Sequence, residues 1–90
     1  MRVALICTDK PDSLDIRKAN REAHLKHIAD SGIVEMAGPL LNDAGDMAGS
    51  LLILEVEEQS QAQDWADADP YAKAGLFQDV RIQVWNKVVG

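Results

Sequence analysis

Apolar runs alternate with polar stretches along the chain, and the pattern predicts six elements. Arg2 to Thr8 is dense in Val, Leu and Ile and stops at the turn cluster Asp9-Lys10-Pro11-Asp12, as a strand ending in a breaker does. Asp12 is placed to cap a helix, with Asp15 near its positive start, and Gly32 supplies a left-handed stop after Asp30-Ser31. Ile33 to Leu41 reads as a second strand, weakened or pushed to a sheet edge by Gly38-Pro39. A polar, glycine-punctuated loop, Asn42 to Gly49, leads into Ser50 to Glu57 (SLLILEVE), the strongest strand signal in the chain. Ser60-Gln61-Ala62-Gln63 has the form of a capping box and opens a second helix that runs to about Ala68. Asp69-Pro70-Tyr71 starts a short helical turn that Gly75 breaks. Gln78 to Val89 alternates Val80, Ile82 and Val84 against Arg81, Gln83 and Trp85, the mark of a final strand.

The order β-α-β-β-α-β is the ferredoxin-like α+β pattern. It predicts a four-stranded antiparallel sheet with both helices on one face, and residues 1–90 as a single domain. Right-handed crossovers put the helices on that common face. The strands, however, are apolar on both sides. Val3, Leu5 and Cys7 point one way and Ala4 and Ile6 the other; Leu52, Leu54 and Val56 oppose Leu51 and Ile53. A sheet with one wet face alternates apolar with polar, and each Leu or Ile left bare forgoes about 1.5–3 kcal/mol. A second chain over the open face, most simply in a two-fold homodimer, is therefore expected.

At about 100° per residue, Leu14, Leu25, Ile28 and Ala29 share the helix face expected against the sheet, with Arg17, Arg21 and His24 along its border. His24 then sits where core meets solvent, beside the cation Arg21. In that setting a neutral imidazole suits proton transfer near neutral pH, although a border histidine with one hydrogen bond and no further task is the plainer alternative. His27 lies three residues on, rotated toward solvent, and is expected to be solvated; two histidines without further ligands do not make a metal site, so no metal is expected.

Asp69 before Pro70 has a sufficient structural reason as a helix cap. The functional alternative is that it also reaches an imidazole and fixes its tautomer. Cys7, mid-strand, reads as a small core hydrophobe. Trp65 and Trp85 read as packing residues, with the option of walling a pocket at a chain–chain seam. Ser50, at the expected strand start, is a turn residue or a hydroxyl facing a ligand.

Charge and composition narrow the classes. Fifteen acids against nine Lys plus Arg give a net charge of −6, which disfavours nucleic acid and anionic membrane surfaces. The 47% hydrophobic and 27% charged fractions are ordinary globular values and argue against disorder. A chain this short hides only about 60–65% of its unfolded surface, so a deep cavity within one subunit is not expected. One cysteine forms no internal disulfide, and no segment has the form of a signal peptide or a membrane span, which points to the cytoplasm. No phosphate loop, dinucleotide glycine pattern or nucleophile elbow is present, and no cofactor is expected.

Taken in succession, Arg21-Glu22-Ala23-His24-Leu25, Gly32, Ala37-Gly38-Pro39-Leu40, Gly49-Ser50-Leu51-Leu52, Asp69-Pro70-Tyr71, Gly75-Leu76 and Trp85 resemble the YciI-related (YCII) family of small proteins. The resemblance spans nearly the whole chain; Val84-Trp85 stands where many relatives carry Pro-Trp. It implies a ferredoxin-like fold that dimerises through its sheets, in the manner of dimeric α/β-barrel proteins. It also implies an enzymatic His/Asp pair, which maps onto His24 and Asp69, and activities of the dehydrochlorinase type on hydroxylated or chlorinated rings in a few relatives.

The expectation is a cofactor-independent enzyme of lyase or isomerase type, with His24 as general acid/base, Asp69 as its orienting partner, and Arg21, Ser50 and Tyr71 binding a small organic substrate. A dimeric small-molecule-binding or accessory protein without turnover is the alternative, and an interaction module whose sheet meets a different chain is a third.

Overall fold

The computed structural model describes residues 1–90. Strand β1 (Arg2–Asp9) leads to helix α1 (Leu14–Ser31), then to strands β2 (Val34–Leu41) and β3 (Met47–Glu55). Helix α2 (Gln59–Ala68), a single turn α3 (Pro70–Lys73) and strand β4 (Phe77–Trp85) complete the chain. The four strands form one sheet in the order β2-β3-β1-β4, every neighbouring pair antiparallel. This is the ferredoxin-like α+β architecture, with β2 at an edge as Gly38-Pro39 suggests.

The core lies on the helix side of the two central strands. Val3, Leu5 and Cys7 of β1 and Leu52 and Leu54 of β3 form one buried cluster with Val56 and with Ala62, Trp65 and Ala66 of α2. The register pairs Val3 with Leu54 and Leu5 with Leu52, so these side chains project to one face. The opposite face carries Met36, Leu40, Leu51 and Trp85, all exposed, and only Ala4 and Ile53 at its centre are buried. The two-sided apolar pattern of β1 and β3 is thus real.

Several element ends differ from the sequence expectation, each for a local reason. Asp12 does not cap α1: its φ is 56°, and Ser13 occupies the cap position, its hydroxyl donating to the Pro11 carbonyl at 3.2 Å. The capping box falls two residues early, at Glu58 and Gln61, where the Gln61 Oε1 accepts from the N–H groups of Glu57 and Glu58 at 2.7 and 3.1 Å; Ser60 lies inside the helix. Strand β3 begins at Met47 because the loop closes tightly. Asn42 Oδ1 accepts from the N–H of Ala44 and of Asp46, and pairing with β2 resumes at Leu41 and Met47. Strand β4 stops at Trp85, not Val89, because its only partner is β1 and Trp85 already faces Arg2, next to the chain start.

The largest correction concerns α1. Its buried residues are Arg17 and His24, with Ile28 half-buried, whereas Leu25 is 44% exposed and Ala29 is exposed too. Arg17 and His24 are seven residues apart, two turns, and so share a face. The inner stripe of this helix is polar, and partners on neighbouring elements make that tolerable.

Gly49 is required where β3 passes β1. A Cβ there would lie 2.3 Å from the Cys7 carbonyl oxygen, a distance no side chain can occupy. That close approach brings Ser50 opposite Cys7 in the middle of the sheet.

Candidate active site

Asp69 sits between α2 and α3, in extended backbone (φ −61°, ψ 126°), with Pro70 opening the turn. Its Oδ1 accepts from the Tyr71 N–H at 3.1 Å and from His24 Nδ1 at 2.8 Å, and its side chain is 2% exposed. The cap and the orienting role are therefore carried by the same carboxylate. A carboxylate only accepts, so the proton of a neutral His24 resides on Nδ1 and the lone pair on Nε2. Nε2 has no protein partner, yet no buried polar atom of the chain is left unpartnered; this nitrogen opens onto free space.

That space is a cavity of about 190 Å³ between α1 and the helix-side face of β2 and β3. Arg17, Arg21, His24, Ser50 and Tyr71 form its polar wall, and Leu25, Ile28, Ala37, Pro39 and Leu52 its apolar one. A cavity of roughly 150 Å³ is enough for benzene, and drug-sized ligands take about 300 Å³ or more, so the volume suits a single small ring. Asp69 does not line it and stands behind His24.

The imidazole is held on several sides. Tyr71 stacks on it at 4.0 Å between centroids and 16° between planes, and Trp65 meets it edge-on at 6.4 Å. Arg17 in turn lies over the Tyr71 ring, 4.7 Å from the centroid, a cation–π contact. Its guanidinium is gripped by Asp9 through Nε and Nη2, both at 2.8 Å, and Nη2 also donates to Ser50 Oγ at 2.9 Å. Burial opposes the charge on Arg17, but the hydrogen bond and negative charge of Asp9 outweigh it and raise its pKa further. Burial pushes the Tyr71 phenol up against the pull of Arg17, which keeps the phenol neutral at ordinary pH. Burial, with Asp69 nearby, pushes the Cys7 thiol up to about 12, so Cys7 is a core residue and no nucleophile.

The five candidate residues converge. His24, Arg21, Ser50 and Tyr71 line one cavity and Asp69 bonds the first of them. Arg21 is exposed at the mouth and forms no ion pair. Ser50 is buried in mid-strand, not at a strand start. His27 is not solvated as expected: it is half-buried, donates through Nε2 to the Trp65 carbonyl at 3.1 Å and lies against the Trp65 ring at 4.3 Å, tilted by 31°. The sequence reading missed the depth of Arg17 and the role of Asp9, which looked like part of a turn. The available signal was the two-turn spacing of Arg17 from His24. No group of three or more His, Cys, Asp or Glu side chains converges on one point, and no helix is long and apolar enough to cross a membrane.

A ferredoxin-like α+β domain with a buried His–Asp pair at the wall of a small cavity is the class that fold and site define. Residues 1–86 match the YCII-related domain, and the chain belongs to that family. It is 39% identical to Protein YciI of Escherichia coli O6:H1, with 98% of this chain and 99% of that protein covered, and to Protein YciI of Shigella flexneri to the same extent. Among solved structures it is similar to the 5-chloro-2-hydroxyhydroquinone dehydrochlorinase TftG of Burkholderia phenoliruptrix, in complex with 2,5-dihydroxybenzoquinone. The TM-score is 0.86 and the identity 33%, covering 96% of this chain and 94% of that one. An antibiotic biosynthesis monooxygenase shares the fold at a TM-score of 0.61 and 12% identity, with 98% of each chain covered.

Proposed function

We propose that the protein is a cofactor-independent enzyme of lyase or isomerase type, acting by acid–base chemistry on a small hydroxylated ring compound. The observation that carries the reading is the 2.8 Å hydrogen bond between His24 Nδ1 and Asp69 Oδ1 behind the wall of the cavity. Asp69 presents the Nε2 lone pair to the substrate and stabilises the imidazolium that forms, the task of an acid beside a catalytic histidine. Nε2 takes a proton from an acidic O–H or C–H of the substrate. The electron pair left behind either shifts and is reprotonated elsewhere by the same imidazolium, an isomerisation, or expels chloride from the neighbouring carbon, a net loss of HCl. Both balance without an oxidant or reductant. The dehydrochlorinase among the similar structures, named with a dihydroxybenzoquinone, supports the second outcome and the ring-sized substrate.

Arg21, the unpaired cation at the mouth, attracts an anionic substrate, and Ser50 and Tyr71 contact it inside. The reading includes a cytoplasmic homodimer of this single domain joined through the open sheet face, supported by exposed Met36, Leu40, Leu51 and Trp85; a monomer by light scattering at working concentration overturns that part.

The alternative of binding without turnover is favoured by one fact, that Asp69 already has a structural task as the cap of α3. A ligand found by thermal-shift screening decides between the two. The enzyme reading requires that it be altered on incubation and that His24→Ala and Asp69→Asn suppress its turnover; unchanged turnover in both variants, or recovery of every ligand intact, refutes it.

A further inference from the structure

We propose that Arg17 and Ser50 form an oxyanion-binding pair on the polar wall of the cavity, with Asp9 as the residue that positions them. The inference deepens the acid–base reading above and takes its chemistry from it.

The hydrogen bonds of the pair leave donors over. A guanidinium carries five N–H groups. On Arg17 the Nε hydrogen and one on Nη2 go to Asp9, and the other Nη2 hydrogen goes to Ser50 Oγ. Neither hydrogen on Nη1 is taken by a carboxylate or a carbonyl; the Tyr71 ring, which lies against the guanidinium, itself lines the cavity. The Ser50 oxygen accepts from Arg17, and its own hydrogen has no acceptor within the chain. Both side chains are 97% or more buried, yet neither has a polar atom sealed away without a partner, and both line the cavity. Two buried groups therefore hold spare donors toward the space that His24 Nε2 opens onto.

Their placement is fixed before any ligand arrives. Asp9 grips the guanidinium in the two-pronged geometry that fixes direction as well as distance, and the Tyr71 ring supports it from the side while stacking on His24. A buried ion pair is commonly no more stabilising than apolar residues of the same volume, so the core alone gives little reason for this one. At the cavity wall it has one: Asp9 spends both oxygens on Arg17, which turns the remaining guanidinium edge and the Ser50 hydroxyl toward the ligand. When His24 removes a proton from a hydroxylated ring, negative charge develops on a conjugated oxygen. Fixed donors in a site poor in water stabilise such charge strongly, because they need not reorient as it forms. The ligand class is a small planar ring bearing an ionised or ionising oxygen.

The test compares two probes in the intact 90-residue chain: 2,5-dihydroxybenzoquinone, which carries ionisable oxygens, and its neutral dimethyl ether. Dissociation constants are measured by absorbance titration for wild type, Ser50→Ala, Arg17→Lys, Asp9→Asn and His24→Ala, with thermal melts to confirm folding. Wild type should prefer the dihydroxy probe. Ser50→Ala, which leaves the ion pair in place, should weaken that probe about tenfold or more, the loss of a hydrogen bond to a charged group, and leave the ether unchanged. Arg17→Lys, which keeps the charge but not the fork, and Asp9→Asn should narrow the preference as well, whereas a purely structural Asp9 would weaken both probes equally. The proposal is overturned if Ser50→Ala and Arg17→Lys retain the wild-type preference, or if wild type binds neither probe. His24→Ala separates this idea from the acid–base reading: that variant keeps the anion preference if the pair is real, even should it prove irrelevant to turnover.

Discussion

Helices α1 and α2 cover the same face of the same sheet by opposite means. Helix α2 does so with Ala62, Trp65 and Ala66 against Val3, Leu5 and Leu54, a dry apolar seam in which the one polar tip, Trp65 Nε1, donates to Ser31 Oγ at 2.9 Å. Helix α1 presents Arg17 and His24, each matched to a carboxylate on another element. The α2 side is one buried apolar cluster, whereas the cavity is lined by Arg17, Arg21 and His24 of α1 together with β2 and β3 residues. In this molecule the α2 side carries the apolar burial, and the α1 side carries the polar groups and the cavity on which the proposed chemistry rests.

That division can be broken from either side. The largest effect expected is on turnover: His24→Ala should cost about 10²–10⁴-fold, the usual worth of a positioned acid–base group, once a converted compound is in hand. Trp65→Ala should act in the opposite sense. Truncating a buried aromatic costs about 3–5 kcal/mol, read by urea denaturation, while ligand binding by the folded fraction persists; a collapse of binding at full folding would show that the α2 side also shapes the site. Arg17→Met should cost about 3 kcal/mol or more by stranding the Asp9 charge, and Asp9→Leu combined with Arg17→Met should recover most of it. If the double variant is as unstable as the single one, the ion pair itself is a pillar of the fold and the contrast between the helices weakens.

The smallest effect concerns Cys7, in the seam but close to the site. Its thiol is pushed up to about 12 by burial, from an ordinary value of 9.0. Between these values the unfolded chain has lost the proton and the folded chain keeps it, so stability is full below 9 and falls as pH rises, by at most about 1.4 kcal/mol per pH unit from this group. Cys7→Val should flatten that alkaline slope in denaturation curves. At pH 8 the native thiol should also resist disulfide-exchange reagents and become reactive only on unfolding, since the thiolate is the nucleophile.

How far the site could be read in advance depended on the residue. His24 and Asp69 stood out through local motifs, a histidine in a helix and Asp-Pro at a turn, and through the family resemblance. Arg17 was visible only as a rim cation, because an apolar periodicity search assigns a helix's inner face by its Leu and Ile, and α1 places Leu25 outside. His27 misled for the same reason: its contact with the Trp65 ring depends on where α2 lies. The missed ends of α1, α2 and β4 reflect local competition, between Asp12 and Ser13 for a cap, between Glu58 and Ser60, and between a continuing β pattern and a partner strand that has run out.

The linear order of residues was sufficient for the element sequence, the four-stranded sheet, the two-sided apolar strands and the family, since these rest on side-chain period and turn chemistry that act over a few residues. Which polar groups lie inside was decided by the folded chain. His24 and Asp69 are 45 positions apart, and Arg17 and Ser50 are 33. Burying such groups is costly unless each finds a partner at hydrogen-bond distance, and only the packing of α1 against α3 and β2, on the helix-bearing face of the sheet, brings those partners within reach.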